Sequence, residues 1–266
     1  MNNMTNLYDT SKCTACRGCM IACKDWNQLP AVIEPFKGNY STHEDTDGDT
    51  FTYIRFIEGE DPVDGFYWNF LKYQCMHCLE PACMEVCPRG AYSKTEWGAT
   101  YHDPEKCIGC QYCTYACPFH IPKYRKREDK ISKCNLCYER VEEGLTPACA
   151  RTCPPGALKF GNRDELLVEA EQRVKYLRAN GFPRATIYGR TELGGLNKLY
   201  VLTDTPDRFG LPVNPTVSGT ISFWQNWVQP YFGWLIPLAL AGSAASFVTT
   251  RLLANKNGGH GKGGHE

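Results

Sequence analysis

All sixteen cysteines of this 266-residue chain fall into four runs: Cys13, Cys16, Cys19, Cys23; Cys75, Cys78, Cys83, Cys87; Cys107, Cys110, Cys113, Cys117; and Cys134, Cys137, Cys149, Cys153. Three thiolates within one short loop suit an iron–sulfur cube, whose iron corners each take one soft ligand, with the fourth supplied from elsewhere in the chain. Because every cysteine belongs to a run, none is left over as a nucleophile or a redox switch.

The first and third runs read C-x2-C-x2-C-x3-C, the second C-x2-C-x4-C-x3-C and the fourth C-x2-C-x11-C-x3-C. Proline follows the last cysteine in three of them, at Pro88, Pro118 and Pro154. In two-cluster ferredoxins the cysteine before the proline binds the other cube of the pair. Pairing neighbouring runs by this rule gives one 4Fe–4S cube on Cys75, Cys78, Cys83 and Cys117 and another on Cys107, Cys110, Cys113 and Cys87. The outer runs then pair across the intervening segment, as Cys13, Cys16, Cys19 with Cys153, and Cys134, Cys137, Cys149 with Cys23. The outer pairing requires the first and last runs to meet in space, which spacing alone does not establish.

Two other chemistries compete for these thiols. Structural zinc takes four cysteines, usually as two separated doublets and not as three thiols in seven residues before a proline. A disulfide framework fits an even cysteine count, but such frameworks serve short chains that lack a sufficient core. A zinc-stabilised scaffold stays as the non-redox alternative.

The formal charge of zero gives no general pull toward nucleic acid, and none is expected as a partner. From Phe209 to Thr250 there is no Asp, Glu, Lys or Arg. An apolar run of about 20 residues suffices to cross a bilayer, and Trp224, Trp227, Tyr231 and Trp234 open this one as an interfacial aromatic belt would. Pro230, Gly233 and Pro237 would also suit a buried or packed segment, yet proline is tolerated in spanning helices. The small residues Gly242, Ser243, Ala244, Ala245 and Ser246 would admit a neighbouring membrane helix. Arg251, Lys256 and Lys262 follow the run, so the positive-inside rule puts the tail in the cytoplasm and the cysteine-bearing part outside it. Met1 to Thr10 lacks the basic and apolar regions of a secretory signal, so export would need a partner that carries one.

The predicted fold is α+β: two ferredoxin-like two-cluster modules in a pseudo-repeat, then one C-terminal transmembrane helix. The double module takes 1–203, with an inner part at about 70–125 and an outer part from 8–30 plus 130–160. A Pro-containing linker takes 204–225, the transmembrane helix 226–253 and a disordered tail 254–266. Strand-like pieces lie at 51–57, 157–160 and 199–202. Asn162 and Glu165 suggest a capping box for a helix over 163–180, with Leu166, Leu167, Ala170, Val174 and Leu177 on one face and Gly181 as its stop.

Other features carry less. The acidic run Glu44, Asp45, Asp47, Asp49 lacks the glycine and glutamate offsets of a calcium loop. His77 and His120 beside the runs read as packing residues, since each cube already has four thiols. His260 and His265 lie in a glycine-rich tail. Lys12, Arg17, Arg89, Lys106 and Lys133 stand next to the runs, where positive charge would raise a cube's potential.

The segments CMHCLEPACMEVCPRGA (75–91), CIGCQYCTYACPFHIP (107–122) and KCNLCYERVEEGLTPACARTCPPGAL (133–158), with the C-terminal apolar run, resemble the iron–sulfur beta subunit of respiratory, membrane-bound formate dehydrogenases. The four-run module is shared with other molybdopterin oxidoreductases, whose nitrate and dimethyl sulfoxide reductase members often replace a cysteine of the third run and lack the terminal helix. The resemblance implies a catalytic subunit holding molybdenum or tungsten on pyranopterin, four 4Fe–4S clusters on this chain, and a membrane cytochrome b subunit that passes electrons to quinone. It also implies a single-pass protein in the bacterial inner membrane, exported with the catalytic partner. The short amino terminus and the acidic loop over 40–49 depart from the pattern and bear on contacts with the catalytic subunit. A polysulfide or thiosulfate reductase, or a membrane hydrogenase, would use the same module. On either reading the protein offers cubes and no acid, base or nucleophile, so bond chemistry belongs to a partner. Iron and acid-labile sulfide should appear in equal amounts in the purified protein; a colourless, zinc-loaded preparation would reverse the assignment.

Overall fold

The structure, a computed structural model, describes residues 4–38, 40–62, 65–217, 219–223 and 227–257. Trp224 and the tail from 258 onward, with His260, Lys262 and His265, lie outside the described residues. The chain divides into two units, Met1–Val217 and Ser218–Glu266.

In the first unit the strands are β1 (Met4–Asp9), β2 (Thr52–Asp61), β3 (Gly65–Gln74), β4 (Tyr92–Lys94), β5 (Thr100–His102), β6 (Lys123–Arg125), β7 (Lys130–Ser132), β8 (Leu158–Asn162), β9 (Thr186–Tyr188) and β10 (Lys198–Leu202). The helices are α1 (Gly18–Trp26), α2 (Ala82–Glu85), α3 (Tyr112–Ala116), α4 (Tyr138–Glu142), α5 (Ala148–Arg151) and α6 (Arg163–Ala179). The architecture is mixed α and β, and most helices are a single turn because the cysteine loops interrupt them.

One four-stranded sheet, in the order β8-β1-β10-β9, closes the chain on itself. Strand β1 runs antiparallel to β8 and parallel to β10, with Tyr8 opposite both Leu158 and Tyr200. Its β-branched and aromatic residues suit a strand buried on both faces, and all five residues of β10 are buried. Residues just before the first cysteine run therefore lie beside residues just after the fourth. Helix α6 covers one face of this sheet, setting Leu166, Ala170, Val174 and Leu177 against Leu7, Leu199 and Val201. The Asn162 side chain caps it, accepting from the Asp164 and Glu165 amides at 2.9 and 3.4 Å, which satisfies two of the donors a helix start leaves free.

Strands β2 and β3 form a long hairpin, from Thr52 opposite Gln74 to Asp61 opposite Gly65. Its base is core, with Tyr53, Ile54, Leu71 and Tyr73 buried, whereas Phe66 and Trp68 toward the tip are exposed. Two short hairpins, β4–β5 and β6–β7, follow the second and third cysteine runs. Helix α1 packs on α5, and α2 on α3. The first run thus meets the fourth and the second meets the third.

The stretch after β10, expected as a Pro-containing linker over 204–225, begins with residues packed into the first unit. Pro206–Phe209 is a turn of 3-10 helix, Phe209 is fully buried, and Leu211 joins the same core. The Tyr188 hydroxyl donates to Pro212 O at 2.9 Å, and Arg208 pairs with Asp61 at the hairpin tip. Apolar side chains at 209 and 211 find a place in the core, and the prolines shape the turn that takes them there. The acidic loop is held by cations: Glu44 by Lys37, Asp45 by Arg55, and Asp49 by Arg125.

The second unit holds α7 (Gly219–Phe223) and α8 (Gln229–Asn257). Within α8, Gly233–Leu253 has a mean hydropathy of 1.4 and is long and apolar enough to cross a membrane. Three of its hydroxyls bond back within the helix, among them Ser243 donating to Ala239 O at 2.7 Å and Thr249 to Ala245 O at 2.9 Å. Such back-bonding is what polar side chains need where water is absent. Pro237 is accommodated within the helix.

Because Phe209 is a core residue, Phe209→Ala should cost about 3 kcal/mol of stability. Chemical denaturation of the metal-loaded protein followed by tryptophan fluorescence measures it; a loss within about 0.5 kcal/mol would fit a surface side chain instead.

Candidate metal centres

The four cysteine loops share one backbone device. The residue two positions after the first cysteine of each run has a left-handed conformation: Ala15 (φ 52°), His77 (φ 49°), Gly109 (φ 68°) and Leu136 (φ 59°). In three runs this turn aims that residue's amide at the first sulfur, Ala15 to Cys13 at 3.3 Å, Gly109 to Cys107 at 3.5 Å and Leu136 to Cys134 at 3.4 Å. A side chain other than glycine is strained there, so the loop spends conformational energy to present amides to sulfur. After the cysteine-proline pairs a second turn recurs, with Gly90, His120 and Gly156 donating to the carbonyls of Cys87, Cys117 and Cys153.

The sulfurs gather in groups of four. Cys75, Cys78, Cys83 and Cys117 line a hollow of about 390 Å³, partly open to solvent, with Thr100, Phe119, Ile121 and Lys133. Cys87, Cys107, Cys110 and Cys113 line a second, of about 300 Å³, with Arg89, Tyr92 and Ile131. Cys23, Cys134, Cys137 and Cys149 line a third, of about 360 Å³, with Lys72 and Asn27. In the remaining group, charge on Cys153 and Cys16 acts on Cys13, and charge on Cys13 and Cys153 acts on Cys19. No disulfide joins any of the sixteen. Among the described residues no three Cys, His, Asp or Glu side chains converge as a single ion requires.

Electrostatics place these groups in a row. Burial first, then the charges of Cys113, Cys83 and Cys75, raise the Tyr92 phenol, so this ring stands where the third-run and second-run groups adjoin. Cys134 is pushed up to about 11 by burial and then by Cys75, which links the second-run group to the fourth. Cys19 is pushed up to about 11 by burial, with Cys149 contributing, which links the fourth-run group to the first. Cys110 and Cys16, at the two ends, are the exposed cysteines.

The donor set fits iron–sulfur clusters. Burial holds the thiols in the protonated range, Cys78 and Cys137 to about 12 and Cys113 and Cys117 to about 11, and a metal binds by displacing those protons. Backbone amides then remain directed at the sulfurs: Ile131 also donates to Cys107 Sγ at 3.4 Å. The Asn27 side-chain amide lies 3.6 Å from Cys23 Sγ, a looser contact.

Of the basic residues adjoining the runs, Lys133 is buried, donating to Thr100 O and, at 2.9 Å, to Cys134 O. Lys12 and Lys106 face outward to Asp9 and Asp103. His77 packs: it is fully buried, and its Nδ1 accepts from the Thr100 amide at 3.0 Å. Sequence reasoning missed Lys72, Lys94 and Lys198. Lys94 Nζ donates to Cys78 O and Gly98 O at 2.9 Å, and burial lowers it to about 8. The only signal for Lys72 and Lys198 is a lone lysine within the mostly apolar strand GFYWNFLKYQ and another at the start of KLYVL, a pattern an edge strand also shows.

A family model described as a 4Fe-4S dicluster domain matches residues 66–163. The chain is 38% identical over 248 residues to the formate dehydrogenase, nitrate-inducible, iron-sulfur subunit of Escherichia coli (strain K12), covering 92% of this chain and 82% of the relative. It is 33% identical over 211 residues to formate dehydrogenase 2 subunit beta (cytochrome c-553) of Nitratidesulfovibrio vulgaris, covering 76% of this chain and 94% of that one. A subunit of the anaerobic dimethyl sulfoxide reductase of Escherichia coli (strain K12) is 38% identical over 173 residues, 61% of this chain and 77% of the relative.

Fold, sulfur groups and matches define an electron-transfer protein that binds 4Fe–4S clusters, with thiols enough for four. More narrowly, the protein belongs to the family of formate dehydrogenase iron–sulfur subunits.

Gly109 is where the loop device is least tolerant: a Cβ there would stand 2.5 Å from Asp129 O. Gly109→Ala should cost about 2 kcal/mol and lower the iron content by one cluster's worth, read by iron analysis and thermal unfolding; full iron and unchanged unfolding would contradict this account of the loop.

Proposed function

We propose that this chain is the electron-transfer subunit of a membrane-bound formate dehydrogenase, lying between a catalytic subunit that holds molybdenum or tungsten on pyranopterin and a membrane cytochrome b subunit that reduces quinone. The observation that carries this is the unbroken row of four sulfur groups, from the exposed Cys110 to the exposed Cys16, in a protein matched over 92% of its length to a formate dehydrogenase subunit. The ligand sets are Cys87, Cys107, Cys110, Cys113; Cys75, Cys78, Cys83, Cys117; Cys23, Cys134, Cys137, Cys149; and Cys13, Cys16, Cys19, Cys153. The repeated left-handed turns at Ala15, His77, Gly109 and Leu136 support two ferredoxin-like modules in pseudo-repeat, the inner from the second and third runs and the outer from the first and fourth.

When bound, 4Fe–4S clusters supply one-electron oxidation and reduction. The protein's own residues hold them by thiolate, direct amides at the sulfurs so that added negative charge is stabilised, and exclude water with Phe119, Ile121, Ile131 and Leu136, all buried. Helix α8 is the anchor, spanning the bacterial inner membrane once. Arg251 near the end of its apolar part and Lys256 beyond it favour a cytoplasmic C-terminus, with the cluster-bearing unit on the extracytoplasmic side. The match to a dimethyl sulfoxide reductase subunit favours a second reading, the same module serving another molybdopterin oxidoreductase; the apolar α8 favours the first.

Cys134→Ala should remove one cube, leave the other three detectable by EPR, and abolish formate-dependent quinone reduction by the purified complex. An unchanged set of reduced clusters would refute the ligand set, and a wild-type complex inert to formate would turn the assignment to the second reading.

A further inference from the structure

Two lysines lie in the deepest part of the first unit, and their surroundings are unequal. Lys198 on β10 is 0% exposed; its Nζ donates to Asn6 Oδ1 and lies 5.4 and 5.2 Å from the ring centroids of Tyr8 and Tyr200. It has a neutral acceptor and two ring faces, and burial followed by the charge of Lys72 pushes it well below its ordinary range. Lys72 on β3 is also 0% exposed, yet its Nζ is without a hydrogen-bond partner. Its side chain lines the hollow of Cys23, Cys134, Cys137 and Cys149. The backbone around it is fixed, since the Tyr200 hydroxyl donates to Lys72 O at 3.1 Å.

An uncompensated buried ammonium is costly by several kcal/mol, so a site that keeps one supplies opposite charge nearby. Burial alone would lower Lys72, but the thiolates of Cys149, Cys19, Cys134 and Cys23 outweigh it and hold the ammonium above its ordinary range. Those four belong to two groups: Cys19 to the first-run group, the others to the fourth-run group. The anion that balances Lys72 is therefore the sulfur-rich contents of two adjoining sites.

We propose that Lys72 is a positioning residue shared by two neighbouring clusters, whose fixed positive charge raises the reduction potentials of both relative to the other two. The inference rests on the ligand sets given above. A four-thiolate cube carries net negative charge, and each one-electron reduction adds to it, so a cation in a medium of low dielectric favours the reduced form. Lys72 touches no substrate and acts only through that charge. Lys94 donates to Cys78 O and Lys133 lines the second-run hollow, while burial and then Lys72 push Lys198 well below its ordinary range, which leaves the charge beside this pair to Lys72.

The test is a redox titration of the purified full-length complex, monitored by low-temperature EPR, with Lys72→Met. Methionine keeps the length and apolar stem and removes the charge. With iron content unchanged, the midpoints of the two clusters flanking Lys72 should fall and the other two should stay. Unmoved midpoints, or a common fall in all four, would overturn the proposal. If Lys72→Met does not assemble, Lys72→Arg decides it, because it keeps the charge: two midpoints near their unaltered values support the proposal, and displaced ones overturn it. Failure of the underlying ligand sets shows separately, as a Cys134→Ala complex that retains all its clusters.

Discussion

A buried thiol resists giving up its proton, and this protein gathers its thiols in fours, each four with at least one member buried. Cys19, Cys75 and Cys149 belong to the main hydrophobic core beside Tyr8, Ile54, Leu71 and Tyr200. The core is thus partly made of cysteine side chains, and aliphatic and aromatic groups alone do not fill it. Binding iron draws protons from groups that burial has pushed to about 11 or 12, so the free energy of metal binding and that of folding are coupled. Most of the helices of the first unit are single turns, too short to be stable by themselves. Their place is fixed by the sulfurs they carry and by the sheet that closes around them.

That closure is the work of few residues. Tyr8 on β1 faces Tyr200 edge-on with ring centroids 5.9 Å apart, and its hydroxyl donates to Phe70 O at 3.1 Å. One side chain ties the strand before the first run to the last strand of the sheet and to the hairpin that carries Lys72. The ion pair of Asp9 with Arg173 at 2.9 Å fastens the same strand to α6. Strand β1 is therefore held on every side just where the backbone enters its first cysteine loop.

Much of this was legible in the sequence because cysteine spacing is a strict code. The loop that holds three thiols dictates its own turns, so spacing leads directly to local geometry. The helix over 163–180 was readable from Asn162 and its apolar face for a similar reason, since capping and periodicity are local. The pairing rule required the first and fourth runs to meet, but how they meet was not legible, because it depends on β1 pairing with β8 and β10 at separations of 150 residues or more. Phe209 and Leu211 looked like linker because three prolines surround them; tertiary burial overrode the local signal. Lys72 was invisible for a different reason. A lysine in a strand ordinarily points to water, and only three-dimensional packing reveals that this one does not.

Burial is unequal along the row. The middle groups lie beneath β3, β5 and the core, whereas Cys16 and Cys110 are exposed at its two extremities. Solvent exposure is one of the levers on a cluster, and it also admits small oxidants. On the proposed path electrons enter and leave at these two ends, and in the isolated subunit dioxygen would reach the terminal sulfurs before the inner ones. A partner surface covering those two cysteines would then serve as a shield as well as a contact for electron exchange.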